Sequence, residues 1–219
     1  GRAHWTGTTH QGGSRTLTYY DAAGRVTATI APDGAMVASV RDSAGDVWKE
    51  TAYATRVALP ASVAAAPPAA TADALNDRVT TSIRDTAGRV VEVRRDKVVH
   101  WEQPVHSNAV TLDLIGSQPE TITLARKAYD AAGNVVLETD GRGNPTFHYY
   151  DRIGRRTLTI DAEGYATSWE YGDLFDVATR ETRFGTRTPA YARQDDSAAP
   201  AALRDPALLV AGMLSGADR

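Results

Sequence analysis

The chain contains no cysteine, which excludes disulfide bridges, thiolate nucleophiles and cysteine-ligated zinc or iron–sulfur centres. It has no apolar run approaching the roughly 20 residues that span a bilayer, and no basic-then-apolar opening of a signal peptide. Nor is there an excess of either charge. Lys and Arg number 24 against 27 Asp and Glu, a formal net charge of -3, so nothing draws the chain toward nucleic acid or into a membrane. Nucleophile-elbow and phosphate-loop motifs are missing as well. What is present, 219 residues of which 42% are hydrophobic, suffices for a core held by packing and hydrogen bonds. The first residue is Gly1 rather than Met, as expected of a section cut from a longer chain.

The dominant feature is an internal repeat. "YDAAG" at Tyr20–Gly24 returns at Tyr129–Gly133, and related turns recur at Asp42–Gly45, Asp85–Gly88 and Asp151–Gly154, with a degenerate copy at Gly172. Consecutive copies stand 21 residues apart wherever nothing intervenes. Before the Asp stands Tyr20, Arg41, Arg84, Tyr129, Tyr150 or Tyr171, and five residues after it Val26, Val47, Val90, Val135, Arg156 or Val177. A second glycine follows in the complete copies, at Gly34, Gly143 and Gly164. In D-x-x-G the carboxylate accepts a backbone N–H two residues on while the glycine supplies the positive φ of a hairpin loop. Asp21, Asp42, Asp85, Asp130 and Asp151 with Gly24, Gly45, Gly88, Gly133 and Gly154 therefore read as turns. The runs between turns alternate as strands: Val26, Ala28 and Ile30 share a face opposite Thr27 and Thr29, and Val135 with Leu137 alternates with Val136 and Glu138. Two strands and two turns fill each unit. The expected fold is an all-β antiparallel meander of repeated hairpins, in which neighbours supply the stability that a lone hairpin lacks.

Three segments depart from the repeat. Residues 55–77 are rich in Ala, with Pro60, Pro67 and Pro68 blocking regular structure and at most a helical turn near Thr71–Asn76. Residues 99–122 keep a strand texture without the turn code, as a decayed unit or long hairpin would. In the tail, 186–219, Asp205-Pro206 opens and Gly216 closes a short helix from Pro206 to Ser215, whose apolar face is Leu208, Leu209 and Met213.

No site chemistry competes well with the turn reading. A calcium loop at Asp140–Asn144 lacks the regular oxygen ligands and closing glutamate. His4, His10, His100, His106 and His148 do not have metal-ligand spacing, and no metal or cofactor is expected. Phe175 takes the glycine's place in the last copy and implies a different turn there. The aromatics just ahead of the turns suit cross-strand packing, and Tyr20, Tyr129, Tyr150, Trp169 and Tyr171 are also the candidates for stacking on a sugar ring.

"YDAAGRV", "YDAAGNVVLETDGRGN" and "YDRIGRRTLTIDAEG" together resemble the YD repeat of the Rhs family, which includes bacterial Rhs proteins, the C components of insecticidal toxin complexes and the teneurins. The resemblance covers 16–54, 79–98 and 123–185. It implies a curved sheet or partial β-shell, secreted or at the bacterial surface. Such a section has no catalysis of its own and joins the rest of a parent protein or an enclosed toxin domain. It also implies that the Ala/Pro insert and the tail are equivalent spacers within a single domain, 1–219, with another repeat after Arg219. The alternative is a module that recognises a glycan or a cell surface through aromatic and Arg rows. The family's self-cleaving aspartyl motif is not matched, because "DPALL" at Asp205–Leu209 lacks its glycine.

Overall fold

The computed structural model describes residues 5–9, 15–60, 66–98, 120–172 and 177–213. Its strands are β1 (Trp5–Thr9), β2 (Arg15–Tyr20), β3 (Val26–Ile30), β4 (Met36–Arg41), β5 (Val47–Ala52), β6 (Arg78–Arg84), β7 (Val90–Val98), β8 (Glu120–Tyr129), β9 (Val135–Asp140), β10 (Pro145–Tyr150), β11 (Arg156–Ile160), β12 (Ala166–Tyr171) and β13 (Ala178–Arg183). Two short helices follow, α1 (Ala201–Arg204) and α2 (Pro206–Met213). The protein is an all-β antiparallel meander, as its periodicity implies. It divides into two compact units, Gly1–Arg89 with Val93–Thr123 and Val90–Glu92 with Leu124–Arg219. Strand order is chain order, β1 to β6 in the first and β8 to β13 in the second.

Among the described residues, the short hairpin loops close in the same way. Asp21 N–H donates to the Arg25 carbonyl at 2.9 Å and Gly24 N–H to the Asp21 carbonyl at 3.0 Å, with Gly24 at φ 77°. This is a three-residue loop ended by a left-handed glycine. The same pair of bonds recurs at the other turns, including the second turns that start at Ala31, Asp140 and Asp161.

Two such symmetric turns make a repeat of even length, yet the sequence period is odd. In a structure whose side chains alternate with period two, an odd step would present each new unit inside out. A bulge absorbs the extra residue. The register slips at Tyr19/Tyr20, Val40/Arg41, Ala128/Tyr129, Tyr149/Tyr150 and Glu170/Tyr171, always at the residue before the turn. The residue skipped on the opposite strand is Thr27, Trp48, Val136, Thr157 or Thr179. The bulge also corrects one face expected from sequence: Val136 is the fully buried residue of β9, while Val135 and Leu137 are only half-buried.

Strands β1 to β5 are a template for β9 to β13. Leu17 faces Ile30 as Phe147 faces Ile160, and Arg41 faces Val47 as Tyr171 faces Ala178, at a separation of 130 or 131 positions. The chain leaving the fifth strand also docks alike. Tyr53 N–H bonds to the Met36 carbonyl and Val57 N–H to that of Gly34, just as Phe184 N–H bonds to Ala166 and Thr188 N–H to Gly164.

Each unit has its own core. In the first, Leu17, Tyr19, Ala28, Ile30 and Met36 are buried, with Tyr53, Val57, Leu59 and Ala70 of the Ala/Pro segment packed on them. In the second, Tyr149, Leu158, Ile160, Ala166 and Phe184 are joined by Leu209 and Met213 of α2. Volume is exchanged within the pattern: Ala28 and Met36 in one unit correspond to Leu158 and Ala166 in the other, as a close-packed interior requires. The helix expected over Pro206–Ser215 is described to Met213, and α1 was not foreseen. Leu209 and Met213, four residues apart, point inward; Leu208, expected on the same face, is exposed, because a step of about 100° from Leu209 carries it off a buried stripe this narrow. In the Ala/Pro segment the helical turn expected near Thr71–Asn76 is a turn at residues 74–76, held by Asp73, whose Oδ1 accepts from the Leu75 and Asn76 amides. Residues 99–119 and Phe175, on which a decayed unit and an altered turn were expected, lie outside the described residues.

The two glycines of the first repeat should respond differently to substitution. A β-carbon on Gly24 meets nothing within 4 Å, so Gly24→Ala costs only the strain of its positive φ, about 1 kcal/mol. On Gly34 it would run into the carbonyl oxygen of Val57, and Gly34→Ala is expected to cost about 2–3 kcal/mol. Urea unfolding of the two variants checks this; equal losses would mean that the spacer is not seated on the turn.

Candidate functional site

The residues that recur in every unit converge on a single arrangement at each turn. Asp21 Oδ1 accepts from the amides of Ala23 and Arg25, both at 2.9 Å, and its Oδ2 accepts from the Arg25 Nε at 2.8 Å. Asp85 does the same with Ala87 and Arg89, and Asp151 with Ile153 and Arg155. At Asp130 and Asp140 an asparagine four residues on, Asn134 or Asn144, supplies both the amide and the side-chain donor. Asp42 accepts from the Asp46 amide, and there the side-chain donor is absent because the fourth residue is itself acidic. Both oxygens of Asp21, Asp85, Asp130, Asp140 and Asp151 are thus committed within their own loop. The recurrence of Arg or Asn four places after Asp is visible in the sequence as Arg25, Arg89, Asn134, Asn144 and Arg155, and its purpose is set by the second carboxylate oxygen, which the backbone of the turn leaves without a donor.

These bonds favour the charged carboxylate. The Arg25 amide holds the Asp21 carboxyl below the usual range, the Arg89 side chain does so for Asp85, and the Asn144 side chain for Asp140. At Asp151 burial opposes ionisation, but the bonds from Arg155 and Ile153 outweigh it and the shift is again downward.

At four of these positions the residue just before the turn reaches out of its own unit. The Tyr150 hydroxyl donates to the Val135 carbonyl at 2.9 Å, that of Tyr171 to Arg156 at 2.7 Å and that of Tyr129 to Val90 at 2.9 Å. Arg41 makes the corresponding bond, Nη2 to the Val26 carbonyl at 3.1 Å, and adds one from Nη1 to the Gly45 carbonyl. In each case the acceptor is the residue five places after the Asp of the preceding repeat, beside the bulge. A long side chain ending in a donor is what this span demands, which is why Tyr and Arg alternate there. Arg pays with a buried Nε that has no partner, at both Arg41 and Arg84. The Arg155 guanidinium, already paired with Asp151, lies 4.6 Å from the centroid of the Tyr171 ring, so one turn is tied to the next clamp. Two of the bulges are satisfied by threonine: the Thr157 hydroxyl donates to the Tyr149 carbonyl and that of Thr179 to Glu170.

Of the candidates for sugar stacking, Tyr129, Tyr150 and Tyr171 commit their hydroxyls to these clamps, while Trp169 Nε1 donates to Glu181 at 3.3 Å. Tyr20 occupies the equivalent position on β2 and is half-buried, whereas its neighbour Tyr19 is in the core. Tyr149 is fully buried and donates to the Ala192 carbonyl at 2.7 Å. Gln194 bonds both the N–H and the carbonyl of Tyr150 and closes one side of an open polar cleft of about 440 Å³ with Asp130, Asn134, Asp151 and Gly154. His148 is buried, with Nδ1 3.1 Å from the Thr159 hydroxyl. Burial, then Arg156 and Lys127, lower its pKa against the opposing pull of Glu138. Among the described residues no three His, Asp or Glu side chains are grouped to hold a metal; the other four histidines lie outside those residues.

Removing the Tyr150 hydroxyl should orphan the Val135 carbonyl. Tyr150→Phe is expected to cost about 1–2 kcal/mol, and Tyr150→Arg to recover part of it, because Arg41 fills the same role. Differential stability by urea unfolding measures both; a neutral Tyr150→Phe would remove the clamp from the account. The depressed carboxyls set a pH dependence with a definite sign. Their stabilisation is present above the ordinary aspartate value of about 4 and is lost as pH falls through the lower folded values. Melting temperature should therefore decline below about pH 4, and Asp21→Asn, Asp85→Asn and Asp151→Asn together should flatten that decline.

Against known proteins, residues 129–166 match the RHS Repeat family. That stretch contains one complete unit, from the Tyr129 clamp through the Asp151 turn. No curated protein matches the chain. Two solved structures similar to it are crystal structures of TcdB2-TccC3-TEV, at 12% identity and a TM-score of 0.32, and of TcdB2-TccC3-Cdc42, at 14% and 0.35; each covers 84% of this chain. A Photorhabdus luminescens Tc holotoxin pore is similar over 78% of the chain, at 13% identity and a TM-score of 0.30. The chain spans 11% of the length of each of these three. Residues 129–166 thus carry the RHS repeat, and the same turn, clamp and 21-residue step stand on both sides of that segment.

Proposed function

We propose that this chain is a non-catalytic structural section of a larger, secreted or surface-displayed Rhs protein, serving as scaffold or as wall of a shell around an enclosed toxin domain. The observation that carries this reading is the use of the repeated polar groups. Five of the turn carboxylates have both oxygens engaged by their own loops, and Arg41, Tyr129, Tyr150 and Tyr171 bind the backbone of the preceding unit. A catalytic carboxylate needs a free oxygen facing substrate and a pKa matched to its task; Asp21, Asp85, Asp140 and Asp151 are in the opposite state, their carboxyls held low and their oxygens engaged by donors. Repeats joined edge to edge can be extended without limit, which suits a wall. A glycan-binding role, the alternative, would have to use ring faces and the unbonded edges of Arg rows, since the hydroxyls of Tyr129, Tyr150 and Tyr171 are occupied.

The two readings separate experimentally. Asp151→Ala is expected to lower the unfolding midpoint, and the unaltered chain to show no retention on heparin or a glycan array at low salt. Saturable glycan binding that is lost in Trp169→Ala, with stability unchanged, would favour the recognition module instead.

A further inference from the structure

We propose that His148 is a pH-sensitive joint of the second unit: its neutral ring holds β9, β10 and β11 together on the face opposite the core, and a proton taken up in mild acid loosens them there. Tyr149 belongs to the core and side chains alternate along a strand, so His148 lies on the other face. The pair Phe147–Leu137 is followed on its two strands by His148 and Val136, both buried, and on β11 His148 directly faces Thr159. Nδ1 stands 3.1 Å from the Thr159 hydroxyl. A hydroxyl both donates and accepts, so this bond survives in either protonation state. What changes on protonation is the charge left inside the sheet.

The groups facing the ring do not welcome that charge. From β9 comes one carboxylate, Glu138, whose Oε2 is 4.0 Å from Nε2 and so outside hydrogen-bond reach. Its Oε1 is already paired with Lys127 Nζ of β8 at 2.9 Å, and both partners stand partly in solvent, which screens their field. From β11 comes Arg156, a second cation, while α2 joins the core on the opposite face. Burial, with two cations set against one carboxylate that is already engaged, holds the imidazole below the ordinary histidine range. An imidazolium here gains hydration only by turning outward, which parts β10 from its neighbours.

The sign of the effect follows from linkage. The unfolded chain takes up this proton near about pH 6.5, the folded unit only at lower pH. The stability it contributes is complete above about pH 6.5, is lost as pH falls toward the folded value, and then levels off until the turn aspartates protonate. The first unit is an internal control. There the equivalent residue is Thr18, which faces Thr29 as His148 faces Thr159, and neither titrates. Turns and bulges are common to both units, but the joint belongs to one, so it goes beyond the scaffold reading.

The test is made on the full chain. The His148 ring resonance, assigned through its own backbone, should titrate below about pH 6.5, and the urea midpoint should fall between about pH 6.5 and 5. Over that range amide exchange, corrected for its intrinsic pH dependence, should quicken in β9 to β11 and not in β2 to β4. His148→Gln keeps a partner for Thr159 without a titrating group; it should abolish this step and retain the decline below about pH 4. Arg156→Gln, at an exposed position, removes a repelling cation, and should raise the pH at which the ring titrates and shrink the step even if the first variant does not fold. The idea is overturned if the ring titrates at or above about pH 6.5, if the midpoint is flat over the range, or if the step persists in His148→Gln, which would assign it to another histidine. The scaffold reading fails separately, on an unchanged stability of Asp151→Ala measured above this range.

Discussion

The structure depends on one hydrogen bond that leaves its own repeat. A hairpin held only by its ladder is marginal in water, since cross-strand pairs contribute a fraction of a kcal/mol to about 1 kcal/mol each. Arg41, Tyr129, Tyr150 and Tyr171, each standing just before the turn position, donate to a carbonyl in the preceding unit, so adjacent units share a bond that neither can form alone. The bulge makes this possible. It lies at the register slip beside the donor and carries the odd residue of the period, so that successive units bury the same face. Clamp and bulge are therefore two aspects of one requirement.

The turn carboxylates follow from the same economy. A hairpin loop exposes amides that the ladder cannot reach, and an Asp at its start takes up those two residues and four residues on. The fourth residue then returns a side-chain donor to the remaining oxygen. Such a carboxylate is held ionised by geometry, and its spacing looks like copied chemistry only until the acceptors are counted.

Much of this was legible in the chain. Asp21 and Gly24 announce a turn by type, Val26 to Ile30 a strand by alternation, and Asp205-Pro206 a helix start. What escaped depends on three-dimensional neighbours. The partner of Tyr150 is Val135, fifteen residues back, and no local pattern names an acceptor that is a backbone carbonyl. Val136 turns inward because of a bulge, and a bulge is a register property of two strands. Leu208 and Leu209 are both apolar, so the narrow buried stripe of α2 is set by the core it meets. The correspondence between strands β1 to β5 and β9 to β13 escaped as well, because the shared quantity is register while side chains such as Met36 and Ala166 differ.

That correspondence says which parts of such a section are constrained and which are free. Registers, bulges and the docking bonds at Gly34 and Gly164 are kept. Within them, bulk moves from Met36 to Leu158 between equivalent layers. What covers each layer is not kept at all: an irregular Ala/Pro segment serves in the first unit and a helix in the second. A sheet face needs its apolar area removed from water, and either cover does so. A repeat whose order resides in backbone bonds and turn carboxylates leaves its core residues and its covers open to change, so a wall of this kind can vary greatly in sequence while keeping one step and one hand-off between neighbours.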